Sequence, residues 1–562
     1  MATWLHERSW LLLGLILLGF VLFMLVLGLC VQEDAFISFR YADNLVAGHG
    51  LTYNPGEKVE GYTNFLWTLL LAGGIALGLD PVPLSRLGGM TAAVFLIVLV
   101  FLCARGRDRP NHVTGGFLAT ALIAASPGLA AEAVQGLETV FFALLITAGV
   151  WLGIRARENE APDARGLVRR LAASAGVLAL AALTRPEGLG VFLLATGAAV
   201  GWRWCRRGRL WPRAEATTCL LFLVVVLPYF FWRLHYYGHP VPNTFYAKTG
   251  GGIWHVLRGL QYAGRFLALN PVLTLLTAGM LVRARPWRLR CARGGTGIGQ
   301  PSLSALTVAV VVAGYLLYVI GVGGDFKRTF RFVLPVLPLW AIGLDALVSR
   351  HGWPSWRLPR FGPGRARPGG AGRTFRLGAA GLILLAILLN GLVGLPSTVR
   401  WARARGWDLT RRKACGEYLA SYAQPDAVLA IHSAGIIPYY SRLKTIDMWG
   451  INDSHIARKR MPEMGRERPM GHEKRDDPYV FARSPTYYVD EWNYVLGEPI
   501  ADLEQHLFRE PSLNVYAESY RTVNVPLMLK DGRGLNRYWF NFLELKSART
   551  PAVTTPAIVP DR

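Results

Sequence analysis

The chain has 562 residues, of which 52% are hydrophobic and 17% charged, against roughly 25% charged in an ordinary soluble domain. Its 61 Lys and Arg outnumber 37 Asp and Glu, a formal charge of +24. On so apolar a chain that balance points to a membrane protein with sorted charge rather than to a nucleic-acid binder, and 18 Trp with so few charges exclude a disordered chain. The six cysteines (Cys30, Cys103, Cys205, Cys219, Cys291 and Cys415) include no CxxC pair, so no disulfide framework or zinc site is expected.

The first apolar run, 10–31, follows a short basic start and lacks a small-residue cleavage site. It reads as an uncleaved anchor. Ten more runs follow, near 83–104, 113–130, 137–154, 171–184, 188–202, 216–233, 271–283, 302–321, 330–348 and 376–397. A bilayer core takes ~20 apolar residues per helix, and several of these runs are shorter than that. The piece 64–79 is ambiguous, and charge decides it. If it does not span, the Arg-rich loops 105–112, 155–170, 203–215, 283–300 and 349–376 all share the side of Arg8. Those loops and the N-terminus hold 26 basic and 6 acidic residues. The positive-inside rule therefore predicts about eleven spans, 64–79 as an interfacial or re-entrant helix, and a cytoplasmic N-terminus.

Residues 398–562 differ in kind. They hold 24 basic and 20 acidic side chains and no membrane-length apolar run. The pattern predicts a helix over 413–423, strands at 428–432 and 444–448 with a helical turn between, a mobile loop over 458–478, and late strands at 523–529 and 538–545. The expected organisation is a transmembrane domain, 1–397, whose first outer loop is 32–82, and a small extracytoplasmic α/β domain, 398–562.

The outer loops hold few charges, and these recur at one depth. Glu33 and Asp34 follow the first span directly. Adjacent acids at a membrane edge are costly unless solvated, paired or functional. Asp34 could cap the helix that follows or act as a base toward a hydroxyl. The amphipathic stretch 35–47 would lay Phe36, Phe39 and Leu45 on the interface and turn Arg40 and Asp43 to water. Further polar groups come from Glu60, Tyr62, Thr63 and Asn64 after an NPGE turn, from Glu138, from Arg185 and Glu187 (which could simply pair), and from His239, Asn243, Tyr246 and Lys248. The loop 322–331 adds Asp325, Lys327, Arg328 and Arg331, and the tail adds Asp447, Asn452, Asp453 and His455 on a loop after a strand, either a site or a loop-stabilising network. Arg and Lys suit phosphate oxygens, and the aromatic and amide groups suit a sugar. A membrane-edge site with both suggests a substrate with phosphate at the interface and a tail in lipid. No GxxxxGK[ST], GxSxG or HExxH motif occurs.

These motifs in order resemble a known family. Glu33–Asp34, FISFRYADNLVAGHGLTYNPGEKVEGYTNFLW, GLET, TRPEG, YYGHPVPNTFYAK, GGDF and TIDMWGINDSHIA are similar to the membrane glycosyltransferases of the C-type fold, and most to the terminal β-(1→2)-arabinofuranosyltransferases. The likeness runs over about 30–340 and resumes at 445–457. It implies a polyprenyl-phosphate-sugar donor, best matched by arabinofuranosyl, and an extracytoplasmic glycan or glycoconjugate acceptor: cell-wall polysaccharide, lipopolysaccharide or protein. No particular cofactor is implied; the phosphate of the donor makes a metal optional, and a divalent cation stays an open alternative. The family keeps an acid in the first outer loop as base, with two Asp in the arabinofuranosyltransferases. Here Glu33 replaces the first, so Asp34 is the expected base and Glu33 a helper or metal contact. Arg185, Lys248, Lys327 and Arg331 would hold the donor phosphate. Arg40, Glu60, Tyr62, Asn64, Glu138, Glu187, Asn243, Tyr246, Asp325, Asp447, Asn452 and His455 would line the sugar and acceptor site. Two rivals are a lipid-linked sugar flippase, which would need polar groups at the bilayer midplane, and a non-catalytic cell-envelope assembly or sensor protein.

Overall fold

A computed structural model describes residues 9–28, 31–105, 116–158, 164–207, 213–284, 302–351, 371–466, 471–490, 494–531, 534–548 and 557–558. Most of the Arg-rich loops, with Arg8, Cys30 and Cys291, lie outside them. The four described cysteines, Cys103, Cys205, Cys219 and Cys415, form no disulfide.

Seven described helices are long and apolar enough to cross a membrane: Ser9–Leu27, Pro81–Arg105, Thr139–Glu158, Arg165–Thr184, Glu187–Cys205, Ala214–Tyr237 and Leu303–Gly321. Two bent pairs raise the number to nine if each is one span. That count covers the described residues alone, and two of the expected runs, 113–130 and 271–283, belong to the bent pairs, where proline sets the break. The run 113–130 is two helices, Phe117–Ala124 and Pro127–Val134, set at 59°. Pro127 cannot continue the first helix but starts the second well, with Ser126 Oγ accepting from the Leu129 amide at 3.3 Å. Pro271 likewise divides Ile253–Leu269 from Pro271–Val282, which meet at 97°. The run 330–348 becomes a 3-10 turn at Leu334–Val336 and a 15-residue helix, Leu337–His351. The ambiguous piece 64–79 is a 12-residue helix, Phe65–Ala76, about 18 Å long and too short to cross.

The last run, 376–397, does not end there. It belongs to a 52-residue helix, Ala371–Tyr422, that carries straight on into the tail. In its last turns Cys415, Tyr418, Leu419 and Tyr422 pack on one face of the tail's sheet. The sheet has the order β2-β1-β3-β6-β5-β7, with β4 on β6. β1 (Val428–Ile431) runs parallel to β2 (Lys444–Asp447) and to β3 (Tyr487–Val489). β4 is Val495–Leu496, and β7, Ala557–Ile558, lies along β5. β5 (Tyr520–Asp531) and β6 (Gly534–Leu545) form a long antiparallel pair. A second apolar cluster, with Ile446, Met448, Phe481 and Phe508, covers the other face. The tail therefore has its own two-sided core.

Between membrane helices and sheet lies the Glu33–Val46 helix. Residues 35–42 are all buried, so it is a wedge and not an interfacial helix with a wet side. Phe36 and Phe39 pack with Trp67 and Leu71 on one flank and Ile436 on the other. Ile37 and Tyr41 meet Tyr53, Tyr62, Tyr237 and Ala434.

Candidate active site

Asp34 stands in the first turn of this wedge, where the free amides of a helix start favour a carboxylate. Its Oδ2 accepts from Lys327 Nζ at 2.7 Å and Arg331 Nη1 at 3.0 Å. Burial opposes its ionisation, but Lys327 and Arg331 outweigh that and hold the carboxyl well below its usual range. Its side chain nonetheless keeps 41% of its surface exposed, against 10% for Lys327. Both cations come from the loop after Leu303–Gly321, which also supplies Asp325, bonded to Arg331 Nε. Phe330 in that loop sits at φ 56°, a strained conformation for an aromatic residue, of a kind that concentrates at functional sites. Its ring is pinned by Tyr262 and Phe266 at centroid distances of 5.2 and 5.5 Å.

Lys248 ends the short helix Asn243–Lys248. Burial lowers its ammonium pKa, and Arg331 pushes the same way while Asp34 and Asp325 pull back. The mouth thus brings Lys248, Lys327 and Arg331 around Asp34 and Asp325, an excess of one positive charge. Two groups missed by the sequence reading complete it. His472 lies inside the expected mobile loop 458–478, yet its ring stacks on Trp449 at 3.7 Å and 7° and meets Phe326 at 4.9 Å. Burial pushes this imidazole down to about 4, with Asp34 pulling the other way and Lys327 reinforcing it. Next to it Glu473 takes Arg258 at 2.8 Å and the Gly465 amide at 2.7 Å. The described parts of that loop are therefore docked; 467–470 lie outside the described residues.

A second network lies against the first. Asn64 Nδ2 donates to Glu138 at 2.8 Å, Glu138 accepts from Arg185 at 2.8 Å, and Arg185 also holds Glu187 at 2.9 Å. The guanidinium carbons of Arg185 and Arg331 lie 5.5 and 5.4 Å from the ring of Phe332. Lys327 also bonds Gln32, and Gln32 bonds Gln135, at the end of the second half of the broken helix. Glu132, in that half-helix, is fully buried and accepts from Thr139 at 3.1 Å. Gln32, Gln135 and Glu132 carry no local sequence signal, because their partners come from other helices.

Of the remaining candidates, Glu33, Arg40, Asn243, Tyr246 and Asn452 stitch the tail to the membrane part, Asp447 and His455 bond within the tail, and Glu60 and Tyr62 bond within the membrane part. Glu33 Oε1 accepts from the Gly435 and Ile436 amides at 2.8 and 2.9 Å, and Oε2 meets Arg412 at 3.1 Å. Gly435 is required there, since a Cβ would lie 2.1 Å from the Glu33 carbonyl. Arg40, expected to face water, is 6% exposed. It donates to the carbonyls of Tyr53, Pro438 and Leu443 at 2.7, 2.8 and 2.7 Å and to Asn54 Oδ1 at 3.1 Å. Asn243 Nδ2 donates to the carbonyls of Gly450, Ile451 and Asp453. Asp447 accepts from the Asn452 amide and side chain and from the Trp449 amide, so it shapes the loop that carries Trp449. Tyr41 donates to Asn452 Oδ1 at 3.2 Å, and Arg458 lies over Tyr246 at 4.5 Å. Tyr62 receives a bond from Tyr237 at 3.2 Å. His455 stacks on Tyr479 and meets Asp476 at 3.0 Å. Glu60 is 4% exposed, with Arg233 at 3.5 Å, and burial pushes its carboxyl up to about 8.

The donor set does not fit a resident metal. Among the described residues no group of three or more His, Cys, Asp or Glu is placed to hold one. Asp34 faces two cations, and Glu33 is engaged by Arg412 and two amides.

Against known proteins, a family model described as a domain of unknown function (DUF8728) matches residues 400–542. The terminal β-(1→2)-arabinofuranosyltransferase of Corynebacterium glutamicum is 28% identical over 357 residues, 58% of this chain and 49% of that protein. The protein of the same name from Mycobacterium tuberculosis is 30% identical over 345 residues, 55% of this chain and 51% of that one. The chain thus spans about half the length of the curated relatives it matches. Among solved structures, ArnT from Cupriavidus metallidurans bound to undecaprenyl phosphate aligns over 97% of this chain and all of its own, with a TM-score of 0.56 at 14% identity. An oligosaccharyltransferase from Archaeoglobus fulgidus, solved with Zn and sulfate, aligns over 93% of this chain and 72% of its own, with a TM-score of 0.51 at 13% identity. The fold is that of the C-type membrane glycosyltransferases, with a strand-containing tail. Within that class the chain resembles the terminal β-(1→2)-arabinofuranosyltransferases.

Proposed function

We propose that the protein transfers a sugar, best matched by D-arabinofuranosyl, from a polyprenyl-phosphate donor to an extracytoplasmic glycan or glycoconjugate. The observation that carries this reading is Asp34, a half-exposed carboxylate between Lys327 and Arg331 at the mouth of the site. The chain sits in the plasma membrane as a multi-pass protein, N-terminus in the cytoplasm, with a catalytic domain to about 397 and an outer domain beyond.

Transfer proceeds with inversion. The acceptor oxygen attacks the anomeric carbon, the bond from that carbon to the phosphate oxygen breaks, and the hydroxyl proton passes to Asp34. Polyprenyl phosphate leaves without needing a proton. A donor phosphodiester carries one negative charge, which balances the one positive charge in excess at the mouth. Lys248, Lys327 and Arg331 then hold the charge that grows on the leaving phosphate. The same event prepares the base. A carboxylate gripped by two cations is a weak base, and the donor phosphate competes for those cations, so Asp34 becomes more basic once the donor is bound. Asp34→Asn in purified protein, given a radiolabelled polyprenyl-phosphate sugar and an acceptor oligosaccharide, loses transfer by at least 10³-fold while still binding donor. Normal transfer by that variant refutes the assignment.

A further inference from the structure

The tail domain contains a cavity of about 230 Å³, far above the roughly 10–15 Å³ that one water requires. Its position in the sheet is informative. The chain passes from β1 to β2 on one side, then crosses to β3 on the other. The strand order therefore reverses between β1 and β3. His432 directly follows the last residue of β1, and Asp490 directly follows the last residue of β3; both line the cavity, with Tyr488 of β3. In open parallel sheets, ligands bind outside the carboxyl ends of the strands at this reversal.

The lining states the ligand's chemistry. Around the rim stand Arg475, His506 and Glu510, all exposed. Donors and carboxylates face one concave space that also holds an aromatic ring. A phosphate would meet Asp490 and Glu510, and no three-ligand metal group occurs among the described residues. A neutral, polyhydroxylated ring uses both kinds of partner. A relay of ring contacts connects the cavity lining to the proposed catalytic mouth. The His432 ring lies 5.8 Å from Trp449, Trp449 stacks on His472 at 3.7 Å, and the electrostatic neighbours of His472 are Asp34, Lys327 and Lys248.

We propose that this cavity is an acceptor subsite, which takes a neutral sugar ring of the acceptor glycan away from the hydroxyl under attack. The proposal rests on the glycosyltransferase reading and deepens it. Its test uses the full chain in lipid nanodiscs with arabinofuranosyl, galactofuranosyl and glucopyranosyl oligosaccharides as probes, read by saturation-transfer NMR. The wild type and Asp34→Asn transfer saturation to at least one probe. A triple variant, Arg475→Ala, His506→Ala and Glu510→Ala, alters only exposed side chains and loses that signal at least fivefold. In transfer assays the triple variant raises the acceptor KM about tenfold and leaves kcat and the donor KM within twofold. A panel silent with wild type, an undiminished signal in the triple variant, or binding abolished by EDTA and restored by Mn²⁺ overturns the proposal. Sugar binding lost in the triple variant, from a wild type that transfers nothing, supports the cavity while refuting the enzyme.

Discussion

Glu60 offers a test in which sign and size both follow from the structure. Its carboxyl is pushed from an ordinary 4.5 up to about 8 by burial, with Arg233 at 3.5 Å recovering only part of the cost. Between those values the folded protein binds a proton that the unfolded chain does not. Stability then falls as pH rises, by about 1.4 kcal/mol per pH unit. The contribution is complete below 4.5 and is lost progressively up to about 8. From pH 4.5 to 7 the loss comes to about 3 kcal/mol. Glu60→Gln supplies a neutral group of nearly the same shape and removes this dependence. The variant matches wild type near pH 5 and exceeds it at pH 7.5. The assay is intrinsic-fluorescence thermal unfolding in detergent at half-unit steps from pH 5 to 8.5. A separation of several degrees that opens with rising pH is the expected result. Parallel curves, or a variant less stable at pH 7.5, would mean that Glu60 is ionised in the folded protein and that burial does not dominate its environment.

Two further outcomes follow from the contacts around the mouth and the wedge. Lys248→Ala and Lys327→Met each raise the donor KM at least tenfold and leave acceptor binding by saturation-transfer NMR unchanged, because both cations are proposed to hold the donor phosphate; an unchanged donor KM removes them from that site. Arg40→Met removes the hydrogen bonds to three carbonyls and to Asn54 and costs on the order of 3–5 kcal/mol, as losing several buried hydrogen bonds to a charged group does. Hydrogen exchange then accelerates in 51–54 and 436–447 ahead of the membrane helices; uniform acceleration would show that Arg40 supports the whole chain instead of the seam.

Asp34, Lys327, Arg331 and Lys248 were legible because charge in an apolar chain is conspicuous wherever it falls. Their joint placement around one mouth was not, since it depends on how distant loops converge. The same conspicuousness brought in Arg40, Glu33 and Asn243, whose polar groups are engaged by backbone of the tail domain. A sequence shows a buried arginine and a substrate-binding one identically. The strands β1 and β2 were legible as short buried apolar runs, and β5 and β6 as late strand-like stretches, whereas β3 and β4, of three and two residues, are too short to show a pattern. The run 113–130 reads as one span because hydropathy sums over Ser126–Pro127, while the backbone cannot; the run 271–283 begins at its break, and the amphipathic helix before it, Ile253–Leu269, lies outside the runs read from hydropathy.

Glu33 and Asp34 share one peptide bond and face two different tasks. Glu33 is fastened to the tail through Gly435, Ile436 and Arg412, while Asp34 stands at the mouth. The proposed general base is therefore hinged directly to the domain proposed to carry the acceptor. A tail that swings away pulls on the very turn that aims the carboxylate, and a displacement of 1 Å can cost a reacting group about 10²-fold. On the proposed mechanism the pair would work as an interlock: a donor held without a seated tail would meet a misaligned base, which would guard the activated sugar against loss to water.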